Sequence, residues 1–98
     1  MHPQRSTSRP EIKELRQLRR ALGANIQRMR MERQMTLHEC ARQAHTYPLT
    51  LDYYEMGRRQ LDLDMLAILA AVFGVRLAEL LAAQEKEAAS IAAVPACG

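Results

Sequence analysis

From Thr36 onward, signals that start and stop helices follow one another so closely that the chain can only be a series of short helices. Thr36 and Glu39 have the spacing of a capping box, in which a hydroxyl and a carboxylate each accept from a backbone N–H of the first turn. Pro48 suits the first turn of the next helix and biases Tyr47 away from helical angles. Gly57 can close that helix in the left-handed region. Asp62 caps a further helix, which Gly74 ends. Between these marks apolar residues recur at spacings of three and four, and no segment alternates with period two for long enough to make a strand. The expectation is an all-α chain.

The first third reads as helix too. Ser8-Arg9-Pro10-Glu11 is a helix start, and Ile12, Leu15, Leu18, Leu22, Ile26 and Met29 form one apolar stripe. Lys13, Arg16 and Arg20 form a separate basic stripe. Gly23 costs about 1 kcal/mol in a helix interior. It leaves two arrangements open: one long helix to about Gln34, or two helices meeting near Gly23. A helix from Thr36 to about Ala44, a turn at His45-Thr46-Tyr47 and a helix from Pro48 to about Met56 follow, the last burying Leu51 and Tyr54. Arg58-Arg59-Gln60 is a loop. Leu63, Leu66, Leu69, Ala70 and Phe73 define the buried face of a fourth helix, and Leu77, Leu80 and Leu81 that of a fifth. Ala82 to Ala93 is alanine-rich, and Pro95 stops any extension. The expected division is a flexible arm over 1–9, a basic helix over 10–21, a core domain over 22–81 and a partly helical extension over 82–98.

Charge is unevenly placed. The formal net charge is +3, a mild preference for anionic partners. Residues 1–34 hold nine Arg or Lys and three acids, whereas residues 35–81 hold four and six. No apolar run approaches the ~20 residues of a membrane span, and the first residues lack the apolar segment of a secretory signal, so a cytoplasmic location without membrane contact is expected. Cys40, Cys97, His2, His38 and His45 have neither disulfide nor metal-ligand spacing. With no nucleophile–base set and no phosphate-binding glycine loop, neither enzyme, cofactor nor metal chemistry is expected.

The ordered set of elements resembles the lambda-repressor/Cro-like (Xre) helix-turn-helix family over residues 22–81. Leu22 to Arg30 resembles its first helix, and Met35 to Ala44 its second, with the small Ala41 at the close contact between helices two and three. Leu51 to Arg59 resembles the end of the recognition helix, where the pattern is an apolar residue, Glu, any residue, Gly. Leu63–Gly74 and Leu77–Leu81 resemble helices four and five. The resemblance implies a five-helix DNA-binding domain with helical extensions.

It also implies site residues. The third helix would enter the major groove, with Pro48, Leu49, Thr50 and Tyr53 facing bases and Tyr47 at the cap. Thr36, Arg28, Arg33, Arg58 and Arg59 would face phosphates. Arg30 and Glu55 would form a partly buried ion pair, the alternative being two solvated charges. The sequence departs from the family in several places. Pro48 and Leu49 cannot hydrogen-bond base edges and are suited to thymine methyls. Leu37 stands where Gln is common, Asp52 adds repulsion, and His45 and Gln34 replace frequent glycines.

The resemblance implies a dimeric regulator, a repressor in the first instance, on an inverted-repeat operator in double-stranded DNA. Dimerisation would use either the 82–93 tail or the stripe Ile12, Leu15, Leu18. The alternative is the same fold reused as a protein-interaction module of the antitoxin or anti-activator type. In that case Tyr47, Pro48, Leu49 and Tyr53 would meet a protein partner.

Overall fold

A computed structural model describes residues 12–82, in which all the regular structure is helical. Five helices follow in order: α1 (Ile12–Glu32), α2 (Leu37–Gln43), α3 (Pro48–Glu55), α4 (Leu63–Phe73) and α5 (Leu77–Leu80). This is the all-α, five-helix architecture expected from the sequence. The expected N-terminal arm and all but the first residue of the C-terminal extension lie outside the described residues. No helix among the described residues is long and apolar enough to cross a membrane.

The long helix α1 is the spine, packing against α3, α4 and α5. Its stripe Leu22, Ile26 and Met29 is buried, together with Cys40, Ala41 and Ala44 from the α2 segment, Leu51 and Tyr54 from α3, and Leu66, Leu69, Ala70 and Phe73 from α4. Leu80 closes the core from α5. Further up α1, Leu15 and Leu18 are half-buried, and with Leu22, Leu61 and Leu66 they line a shallow groove.

One reading of the buried faces needs correction. Leu63 is 66 % exposed rather than part of the α4 core stripe. It is the first helical residue after the Asp62 cap, and Leu61, just before the cap, is buried instead. In α5 Leu80 is fully buried, and Leu77 and Leu81 are partly buried and pack against the core.

Of the two arrangements open at Gly23, the structure has the unbroken helix. A Cβ at Gly23 would fall on the carbonyl oxygen of Tyr54, and would lie 2.5 Å from that of Glu55. The glycine therefore lets the backbone of α1 touch the last carbonyls of α3, a close approach that offsets its poor helix propensity.

The first four helices end alike. Each is closed by a residue with positive φ, flanked by two backbone hydrogen bonds that return to the last turn. After α2, His45 N–H donates to Arg42 O and Thr46 N–H to Ala41 O. After α1, Gln34 N–H donates to Met31 O and Met35 N–H to Arg30 O. The closing residues are Gln34 (φ 55°), His45 (φ 55°), Gly57 (φ 72°) and Gly74 (φ 71°). Only the last two avoid the Cβ strain of the left-handed region. Gly57 is doubly constrained, since a Cβ there would also lie 2.9 Å from the backbone N and Cα of Arg20.

These contacts set opposite signs for two substitutions. Gly23→Ala, favourable in an isolated helix by about 1 kcal/mol, is expected to destabilise this fold by about 1–3 kcal/mol through overpacking. His45→Gly relieves strain of about 1–2 kcal/mol and adds about 0.5–1 kcal/mol of unfolded-state entropy, for a net gain below roughly 1 kcal/mol. Chemical denaturation of both variants reads the two signs; a Gly23→Ala variant as stable as the parent would refute the close approach.

Candidate functional site

Helix α3 turns one face inward and one outward. Leu51, Tyr54 and Glu55 are buried. Leu49, Tyr53 and Met56, at successive helical spacings of four and three, are exposed. Tyr47, the N-cap, is 76 % exposed and Leu49 is 61 % exposed. Pro48 at the first helical position and Thr50 beside it are half-buried. The five residues expected to face bases thus lie on or beside the first two turns of α3, and their common surface is apolar and aromatic.

The aim of this surface is set by the other end of α3. Glu55 is only 6 % exposed and meets Arg30 of α1 through two hydrogen bonds, Arg30 Nε to Oε2 at 2.6 Å and Nη2 to Oε1 at 3.0 Å. The third guanidinium nitrogen, Nη1, donates to the carbonyl of Met35 at 2.8 Å. Arg30 therefore clamps α1, α3 and the entry to α2 at once. The hydrogen bond to Glu55 raises the Arg30 pKa above its ordinary value, against the lowering effect of burial. Cys40 is fully buried in the same core. Burial pushes its thiol up to about 11, the Glu55 charge adds to the rise, and Arg30 opposes it. The thiol is therefore neutral at physiological pH.

Three residues expected at the phosphates also make contacts within the fold. Arg28 Nη1 pairs with Glu32 at 2.9 Å, and its Nη2 donates to the side-chain oxygen of Asn25. Arg33 Nε donates to Phe73 O at 2.9 Å and Nη1 to Met29 O at 2.9 Å, with the guanidinium over the Phe73 ring. It joins the C-terminal ends of α1 and α4. Thr36 completes the capping box of α2: its Oγ1 accepts from Glu39 N–H at 3.0 Å, and its own N–H donates to Glu39 Oε1 at 2.8 Å. The Glu39 carboxylate thereby supplies the negative charge that this helix start favours. Arg58 and Arg59 are exposed in the loop after α3, Arg59 lying 5.9 Å from the centre of the Tyr54 ring.

Asn25 was not singled out by its sequence pattern. It is 5 % exposed and its Nδ2 donates to Leu80 O at 2.7 Å, satisfying a carbonyl of α5 from α1. The only trace in sequence is an amide interrupting an apolar stripe. Among the described residues, no three His, Cys, Asp or Glu side chains are placed to hold a metal ion.

A family model described as helix-turn-helix matches residues 26–80 of the chain. Two crystal structures of the clp gene regulator ClgR from Corynebacterium glutamicum are similar to it. One is 32 % identical, covers 78 % of this chain and 81 % of its own, and superposes with a TM-score of 0.69. The other is 30 % identical, covers 70 % and 90 %, and has a TM-score of 0.66. No curated protein matches the chain.

Glu55→Ala leaves the Arg30 guanidinium without its buried partner, and a loss of about 3–5 kcal/mol is expected in denaturant unfolding. A loss under about 1 kcal/mol would mean that the pair behaves as a solvated one. A Cys97→Ser variant, which leaves Cys40 as the lone thiol, should resist a water-soluble thiol reagent at pH 8 and react fully once unfolded. Rapid reaction of the folded protein would contradict the burial of Cys40.

Proposed function

Because the chain belongs to the lambda-repressor/Xre-like helix-turn-helix family, we propose that it is a transcription regulator that binds double-stranded DNA sequence-specifically through α3 in the major groove. The observation that carries the reading is the outward face of α3, held rigidly from behind by Arg30 and Glu55. Tyr47, Pro48, Leu49, Thr50 and Tyr53 face the bases. Pro48 and Leu49 contact thymine methyls, while Thr50 and the two tyrosine hydroxyls supply hydrogen bonds. Arg58 and Arg59, exposed just past the C-terminal end of α3, meet the backbone. Arg28, Arg33 and Thr36 are left out of this set because their polar groups are engaged within the fold.

The chain acts as a homodimer on an inverted repeat, since a two-fold site is matched by a two-fold protein. It represses transcription and works in the cytoplasm, where DNA is reached. The ClgR structures are of gene regulators, which supports a regulatory role here. A second reading has an observation of its own: an exposed Tyr47 and Leu49 are also what a protein-binding patch offers, and the fold would then serve as an interaction module.

Selection from a randomised duplex pool separates the readings. The DNA reading expects enrichment of a T-containing inverted repeat and affinity that falls steeply with salt. The Arg58→Ala/Arg59→Ala double variant should flatten the log K against log salt slope by about 2. If no sequence is enriched and binding is insensitive to salt, the protein-interaction reading replaces it.

A further inference from the structure

Outside the surface of α3, the described residues enclose a second feature with its own chemistry. A cleft of about 580 Å³ lies between the first half of α1 and the loop after α3. Arg16, Arg19 and Arg20 line it from α1, and Met56, Gly57 and Arg58 line it from the other side. The three α1 arginines precede the helix-turn-helix match, which begins at residue 26.

We propose that this cleft is a phosphate-binding site. Three features carry the inference. The first is charge: four arginines are among the six described residues that line one cleft, and no acidic residue is among them. None of the four has an ion-pair partner there either. The second is cost. Arg16 and Arg20 are four apart on a helix, a like-charged arrangement that destabilises it, and bringing Arg58 to the same cleft adds to the repulsion. A bound dianion reverses the sign of these terms. The third is construction. Gly57 has φ 72° and no room for a Cβ against the Arg20 backbone, so the loop bearing Arg58 is seated against the helix that bears the other three. A walled cleft of one sign focuses its field on an incoming anion, and guanidiniums match phosphate oxygens with paired N–H donors.

The phosphate could come from the DNA backbone beside the base-reading helix or from a free phosphorylated small molecule. The first source rests on the DNA-binding reading above; the site itself does not. The experiment uses the full chain, an Arg16→Gln/Arg20→Gln variant and a Lys13→Gln control, which removes a charge from the same helix outside the cleft. Pyrophosphate is titrated while the amide signals of Gly57 and Arg58 are followed by NMR. Duplex affinity is measured across a salt series in parallel.

The expected result is a saturable pyrophosphate shift at Gly57 and Arg58 that survives Lys13→Gln and is lost in the double variant. If DNA is the source, the double variant also weakens duplex binding about tenfold or more and flattens the salt slope by about 1. Pyrophosphate binding with duplex affinity unchanged assigns the site to a free phosphorylated molecule. If no duplex is bound but the pyrophosphate shift stands, the DNA reading fails and the site remains. The proposal is overturned if neither readout changes in the double variant, or if Lys13→Gln changes both as much as the double variant does.

Discussion

The carboxylate of Glu55 is the group on which the rest of the domain is hung. It sits at the end of an eight-residue helix, almost wholly out of water. So short a helix has little stability of its own and depends on packing. Arg30 answers with two hydrogen bonds, and its remaining nitrogen holds the carbonyl of Met35. One side chain thereby fixes α3 to α1 and sets where α2 begins. Gly23 and Gly57 extend the seam from this pair toward the N-terminal half of α1. One brings the α1 backbone onto the α3 carbonyls, and the other brings the following loop onto Arg20. With its C-terminal end fixed in three places along one helix, α3 can leave its opposite face bare without losing its orientation.

What could be read in the sequence was local chemistry. The Thr36–Glu39 box, the Asp62 cap and the closures at Gly57 and Gly74 all depend on residues within a few positions of each other, and all four are present. The replacements of frequent glycines by Gln34 and His45 were legible in the same way, and both residues do take positive φ. Gly23 shows where such reading stops. Within its own helix it is only a defect, and its purpose lies more than thirty positions away in the carbonyls of α3. Arg28 and Arg33 are a second case. The resemblance points both at phosphates and shows neither the contact of Arg28 with Asn25 nor the Phe73 carbonyl, forty positions on, that Arg33 reaches. Leu63 is a third, where correct helical spacing pointed to a buried face that begins one turn later, at Leu66.

The distribution of charge takes on a sharper meaning once the helices are placed. Residues 35–81 are net acidic, and of their four arginines only Arg58 and Arg59 stand in the loop after α3. The basic helix expected over 10–21 is continuous with the first core helix from Ile12 onward, so its arginines at 16, 19 and 20 belong to the same helix that anchors α3. Positive charge is therefore carried by α1 and the loop after α3 rather than by α3 itself.

In the complex proposed above, this arrangement separates two jobs that many base-reading helices combine. A side chain such as Arg supplies both a hydrogen-bond pattern and a charge, so changing the sequence read also changes the general attraction to the duplex. Here the outward residues of α3 are Leu49, Tyr53 and Met56, with Tyr47 at the cap, and none is charged. Their contribution to a complex comes from shape, methyl contact and exclusion of water, which change little with salt. Arg58 and Arg59 lie past the C-terminal end of α3; in the proposed complex they meet phosphates, which carry no base identity. Selectivity on such a surface can be altered by substitutions at positions 47–53 while the electrostatic attraction is left intact. The attraction can in turn be adjusted in α1 and the loop after α3 without touching the face that reads.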